Sequence, residues 1–159
     1  MSKVAQTGRQ RQYVEEVGIV FEQTGLPRMA GRILGWLLIA NPPHQSMEEL
    51  TEALMASKGS MSSMTRMLIQ MGLIERVSLP GVRHAYFRLR PDAWQHMVRR
   101  GLVDEIRMVR ELAERGLGLL NGKTVTRTWL KEMRDVYTFL EREFPVLLER
   151  WEKQHQKSG

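Results

Sequence analysis

Hydrophobic side chains along this chain recur mainly at helical spacing. Between residues 9 and 24, Tyr13, Val14, Val17, Val20 and Phe21 fall on one helical face. Gly25 suits a C-terminal cap, and Pro27 suits the first turn of the next helix. Residues 27–40 are apolar on most sides (Ala30, Ile33, Leu34, Trp36, Leu37, Leu38, Ile39), the pattern of a helix central to a core or an interface. Asn41-Pro42-Pro43 stops it, because consecutive prolines cannot continue a helix. Ser46 and Glu49 have the spacing of a capping box, which predicts a third helix with Leu50, Ala53 and Leu54 inward, ending near residue 56. Ser57 offers a fresh cap to a fourth helix. That helix is expected to reach about residue 71, to bury Met61, Met64, Thr65, Leu68 and Met71, and to end at a left-handed Gly72.

Alternation replaces helical spacing at residues 73–79 and 85–89, with Pro80-Gly81-Val82-Arg83 between them as a hairpin tip. Pro91 and Asp92 then open one long helix to about residue 120, with Trp94, Met97, Val98, Leu102, Ile106, Val109, Leu112 and Ala113 as its stripe. Asn121-Gly122 is a turn. A last helical segment carries Trp129, Met133, Val136, Tyr137, Leu140, Phe144, Leu147, Leu148 and Trp151, with Pro145 expected to kink or split it and a polar, frayed tail from residue 153. The class is mainly α with a small β-hairpin, and no internal repeat is present.

Charge changes the picture more than composition does. The formal net charge is +6, which suits a polyanionic partner, but its distribution is more informative. Residues 46–56 carry three glutamates and no basic residue, whereas residues 57–90 carry six cationic side chains against the single acid Glu75. Cysteine is absent, which excludes disulfides and thiolate metal sites within these residues. His44, His84, His96 and His155 have no ligand spacing, so neither a metal nor a cofactor is expected. No Gly-rich phosphate loop, nucleophile elbow or recurrent carboxylate pair suggests an enzyme. The longest apolar run, residues 33–40, is far short of the roughly 20 residues of a membrane span. With no apolar leader at the N-terminus, the expectation is a cytoplasmic protein without membrane association.

Two short helices joined by a tight turn, with a basic hairpin directly after, have the rhythm of a winged helix-turn-helix. In such a unit the first helix braces the second, and the second enters the DNA major groove. The fourth helix has the two unlike faces this requires. Met61, Met64 and Leu68 pack inward, while Lys58, Ser60, Ser62, Ser63 and Arg66 face out. Ser57 is assigned as cap, Lys58 and Ser60 to phosphate, and Ser62, Ser63 and Arg66 to base edges. Arg83 at the hairpin tip is assigned to the adjacent minor groove, with His84 and Arg88 on the DNA backbone. Each residue alone is more often a plain cap or a solvated charge, and the methionines read as core filler. The conjunction carries the inference. The different-class alternative is a winged helix that meets an acidic protein partner without specific DNA readout.

Leu50-Thr51-Glu52-Ala53-Leu54, Ser57-Lys58-Gly59-Ser60-Met61-Ser62, Met71-Gly72-Leu73-Ile74-Glu75-Arg76 and Leu79-Pro80-Gly81-Val82-Arg83 together resemble the winged helix of MarR-type transcription regulators. Gly25-Leu26-Pro27-Arg28-Met29-Ala30-Gly31-Arg32 with Ser57-Lys58-Gly59-Ser60 is similar to the GbsR branch, in which Val82 stands where an acidic residue is frequent. The resemblance covers roughly residues 12–151. It implies a homodimer on a palindromic operator, usually a repressor released by a small-molecule effector. Residues 1–26 would then form an N-terminal helix of the dimer frame, 27–91 the winged domain, 92–154 the C-terminal dimerisation region and 155–159 a disordered tail. Dimerisation also follows from apolar excess, since Trp94, Trp129, Phe144 and Trp151 exceed what a small winged domain can cover. A monomeric fold-back of the same helices is the alternative. An effector site is placed by aromatic residues at Trp36, Trp94 and Tyr137, although aromatic residues so placed are more often core.

Overall fold

The computed structural model describes residues 7–122 and 124–156. The chain divides into two compact units, Met1–Ala93 and Trp94–Gly159. In the first, α1 (Gly8–Gln23) starts at a capping box: Thr7 accepts from the Gln10 amide, and Gln10 accepts from the Thr7 amide. It ends at Gly25, whose φ of +94° lets Gly25 and Leu26 donate back to the carbonyls of Glu22 and Phe21. Pro27 is the N-cap of α2 (Arg28–Ile39), one position earlier than its sequence pattern predicts.

The two helices touch through glycine. A methyl group added at Gly31 would stand 3.0 Å from Cα of Gly18 and 3.0 Å from Cβ of Phe21, and one at Gly35 would stand 3.0 Å from Cβ of Val17. Even a methyl group at these positions would require its neighbours to move by a few tenths of an ångström. The other faces of α2 bury Ile33, Leu34, Trp36 and Leu37. Around them gather Leu50, Ala53 and Leu54 of α3 (Met47–Leu54) and Met61 and Leu68 of α4 (Lys58–Gln70), with Leu73, Ile74 and Phe87.

The expected hairpin is present as β2 (Ile74–Ser78) and β3 (Ala85–Leu89), antiparallel with Arg76 opposite Phe87. A third strand not foreseen from the sequence, β1 (Gln45–Ser46), pairs with the other edge of β3, giving the order β1-β3-β2. Gln45 is fully buried. Its Oε1 accepts from the Trp36 indole at 3.1 Å, and its Nε2 donates to the Pro42 carbonyl at 2.9 Å. A buried amide thus satisfies a buried indole and ties β1 to α2.

The region expected as one long helix is three successive pieces: α5 (Ala93–Met97), a π-helical stretch (Val98–Val103) and α6 (Asp104–Leu119). Of the expected stripe, Ile106 and Ala113 are buried, whereas Trp94, Leu102 and Leu112 are exposed. After a turn with Gly122 at φ +78°, α7 (Val125–Gln156) runs 32 residues, about 48 Å at 1.5 Å per residue. It passes through Pro145 without splitting, and residues 153–156 of the expected frayed tail are helical. Residues 157–159 of that tail, and residues 1–6, lie outside the described residues. Met71, expected inside, is exposed because α4 has already ended at Gln70.

α6 and α7 meet where Gly116 lets Leu130 approach, and they are laced by ion pairs. Glu141 accepts from both Arg107 and Arg110, and Arg110 also bonds Glu114 at 2.8 Å. The Glu141 and Glu114 carboxylates hold the Arg110 guanidinium above its ordinary pKa. Arg127 closes the C-terminus of α6 by donating to the carbonyls of Leu117 and Leu120.

Replacing Gly31 by valine is expected to destabilise the first unit by about 1–3 kcal/mol through overpacking. Urea unfolding checks this, with a lowered midpoint and an unchanged slope as the expected result.

Candidate nucleic-acid interface

The interface is built from local chemistry. Ser46 and Glu49 form the expected capping box at the start of α3, with bonds of 3.1 Å and 2.7 Å. α3 ends at Met55, which adopts a left-handed φ of +48°, and the chain re-enters a helix at Lys58, three residues later. Ser57 Oγ accepts from the Ser60 amide at 3.2 Å, as its position predicts. The helix then buries Met61, Thr65 and Leu68, with the Thr65 hydroxyl donating to the Met61 carbonyl at 2.8 Å. Met64 is half-buried.

The opposite face is open. Lys58, Ser62, Ser63 and Arg66 are exposed, and Ser60 is half-buried. Lys58, Ser62 and Arg66 come at four-residue spacing, so they form one row along α4. The row begins at a helix N-terminus, where free amides and the helix dipole favour an anion.

The hairpin tip is an ordered turn. Val82 donates to the Leu79 carbonyl at 3.2 Å, with Pro80 and Gly81 between them and Gly81 at φ +76°. Proline followed by a left-handed glycine is the arrangement of a type II turn. Arg83 comes directly after and is exposed. His84 and Arg88, expected on the DNA backbone, are engaged within the wing. His84 Nε2 lies 3.1 Å from the Tyr86 hydroxyl, and Arg88 Nε donates to Glu75 Oε1 at 2.7 Å across the strands. His44 also packs edge-on against Tyr86, at 5.3 Å between ring centres.

The only acid between residues 57 and 90 is therefore already engaged, and Arg90 is held by Asp92 at 2.9 Å. Lys58, Arg66, Arg76 and Arg83 have no ion-pair or hydrogen-bond partner among the described residues. Arg76 counts toward the charge of this stretch but carries no role in the sequence pattern. Its exposure on β2 is what singles it out, since sequence spacing alone does not separate a paired cation from an available one.

The aromatic residues expected around an effector belong to different units. Trp36 is 2% exposed and bonded to Gln45 in the first unit. Trp94 and Tyr137 are in the second, where Trp94, Val98, Leu148 and Trp151 line an apolar cavity of about 230 Å³. Among the described residues no cluster of three potential ligands could hold a metal ion. No helix there is long and apolar enough to cross a membrane.

A turn-linked helix pair followed by a β-hairpin wing defines a winged helix-turn-helix. Comparison with known proteins places it further. Residues 24–83 match the MarR family model, and residues 92–154 match the model of MmpR5-like MarR family transcriptional regulators. The chain is 44% identical over 131 residues to the HTH-type transcriptional regulator MmpR5 of Mycobacterium tuberculosis, covering 82% of this chain and 79% of that protein. It is 29% identical over 85 residues to the HTH-type transcriptional repressor OpcR of Bacillus subtilis, covering 54% of this chain and 45% of that one. A crystal structure of a transcriptional regulator superposes with a TM-score of 0.73 at 41% identity, over 91% of this chain and 99% of the other. The chain belongs to the MarR family of DNA-binding transcriptional regulators, and it is a regulator rather than an enzyme.

Loss of the Ser57 cap gives a local test of α4. Ser57→Ala is expected to lower stability by about 1 kcal/mol, and Ser57→Gly by only a few tenths, in thermal or urea unfolding.

Proposed function

We propose that α4 and the wing read a palindromic operator as a homodimer, and that the chain acts as a repressor. The observation that supports this best is the selective pairing of charge. Arg88 and Arg90 are engaged, whereas Lys58, Arg66, Arg76 and Arg83 have no partner among the described residues of the same segment. In this reading Ser57 caps α4, Lys58 and Ser60 hold phosphate, and Ser62, Ser63 and Arg66 face the bases. Arg83 enters the minor groove, and Arg76 adds a phosphate contact from β2. His84 and Arg88 act chiefly within the wing, by orienting it.

A dimer supplies what the single chain lacks. No residue of α7 is buried, and Trp129, Val136, Phe139, Leu147 and Trp151 are all exposed, as are Met108 and Leu112 on α6. Exposed apolar surface on this scale marks an interface, and a second copy of the chain fits a two-fold operator, with recognition helices about 34 Å apart. The repressor reading is favoured by the likeness to OpcR, and the Gly25–Arg32 block favours placement in the GbsR branch. The cavity beside Trp94 is the place for an effector in this reading, with Tyr137 on the same unit and Trp36 serving the core. A cytoplasmic location accords with an operator as the target.

Fluorescence anisotropy on genomic fragments selected for binding tests the interface. Affinity is expected to fall steeply with salt, and Lys58→Ala or Arg83→Ala to lower the log–log slope by about one unit. Arg66→Ala is expected to cost about 1–3 kcal/mol on the selected site and little on random duplex. Parent-like binding by all three variants would sink the assignment in favour of an acidic protein partner. For the dimer, Trp129→Asp or Phe139→Asp is expected to shift sedimentation from dimer to monomer at micromolar concentration.

A further inference from the structure

The turn between α3 and α4 holds a conformation that its sequence does not favour. Met55 is the only non-glycine residue with positive φ among the described residues, at +48°. A Cβ in that region crowds the neighbouring carbonyl oxygen. The side chain gains no burial in return, being 75% exposed. The last turn of α3 also has no basic residue to meet its terminal carbonyls. The carbonyls of Thr51 and Glu52 accept from the amides of Ala56 and Met55, but the Leu54 carbonyl lies past the reach of that pattern.

Arg32 of α2 reaches it. Its Nη2 donates to the Leu54 carbonyl at 3.0 Å, while its Nε stands 2.7 Å from Glu15 Oε1 on α1. The Arg32 side chain is only 18% exposed, and Glu15 is steadied in turn by Arg28 at 3.3 Å. One guanidinium thus joins three helices: its charge pairs with Glu15 of α1, with no hydrogen bond from Nε, while its Nη2 donates to the end of α3.

We propose that Arg32 is a positioning residue for DNA reading: it clamps the left-handed turn at Met55 and thereby sets the direction in which α4 leaves that turn. The inference rests on α4 being the helix that reads DNA. A change at a single φ in a short turn swings the whole helix after it. Base-edge hydrogen bonds depend on that direction, whereas phosphate contacts tolerate more variation. Loss of the clamp therefore degrades sequence preference before it degrades electrostatic binding.

Arg32→Met keeps the length of the side chain and removes every donor. It is compared with the parent on a selected fragment and on random duplex, across a salt series, with hydrogen exchange followed at the Met55 and Ala56 amides. The preference for the selected fragment is expected to fall about tenfold, the loss of one charge-assisted bond, with an unchanged salt slope. The Met55 and Ala56 amides are expected to exchange faster. Adding Met55→Gly to Arg32→Met is expected to restore much of the preference, because glycine holds φ near +48° without steric cost. Three results overturn the proposal: unchanged preference, a parallel loss on both duplexes together with lost helix content, or no recovery with Met55→Gly. If the parent distinguishes no duplex, the assignment of α4 to DNA fails instead. Hydrogen exchange then decides the clamp by itself, since unchanged exchange at Met55 and Ala56 in Arg32→Met overturns it.

Discussion

The close contact between α1 and α2 is the constraint from which the first unit is assembled. Gly18, Gly31 and Gly35 let the two backbones meet where even a methyl group would require its neighbours to move. That contact settles which faces of α2 remain for the rest of the fold. Ile33, Leu34 and Leu37 then organise α3 and α4, and Trp36 reaches the buried Gln45. Because Gln45 also pairs with Phe87, the indole of α2 indirectly fixes the root of the wing. The α1–α2 pair thus sets the placement of both α4 and the wing.

Cations in this chain fall into two populations that composition merges. Arg32, Arg88, Arg90, Arg107, Arg110 and Arg127 close helix ends or meet carboxylates, and they act within the fold. Lys58, Arg66, Arg76 and Arg83 lie on the exposed side of α4 and the wing. Exposed pairs of the first kind stabilise little individually, about 0–1 kcal/mol. Their pairing leaves them less available to an outside anion than the unpaired set.

Legible in the sequence is whatever is decided within a few residues. The capping box at Ser46, the cap at Ser57, and the left-handed glycines at 25, 72 and 81 are local chemistry, and each is found where the pattern puts it. β1 is invisible there because two residues carry no period of their own and become a strand only by pairing with β3. The π-helical stretch escapes a stripe read at constant pitch. One wider turn rotates the side chains before it relative to those after it, so Trp94 and Leu102 do not share the buried face of Ile106 and Ala113. Counting charge locates the basic stretch but cannot tell that Glu75 holds Arg88 while Arg76 stands free of it. Family membership is legible in the conjunction of motifs rather than in any one of them.

The wing's type II turn has a thermodynamic consequence. Pro80 and Gly81 fix the tip, the Glu75–Arg88 pair joins the strands, and His84 rests on Tyr86, so this hairpin is already folded in the free chain. In the proposed complex, little free energy would go to ordering it, unlike a segment that folds on its target. The heat-capacity change on forming the proposed complex would then carry no folding contribution from the wing.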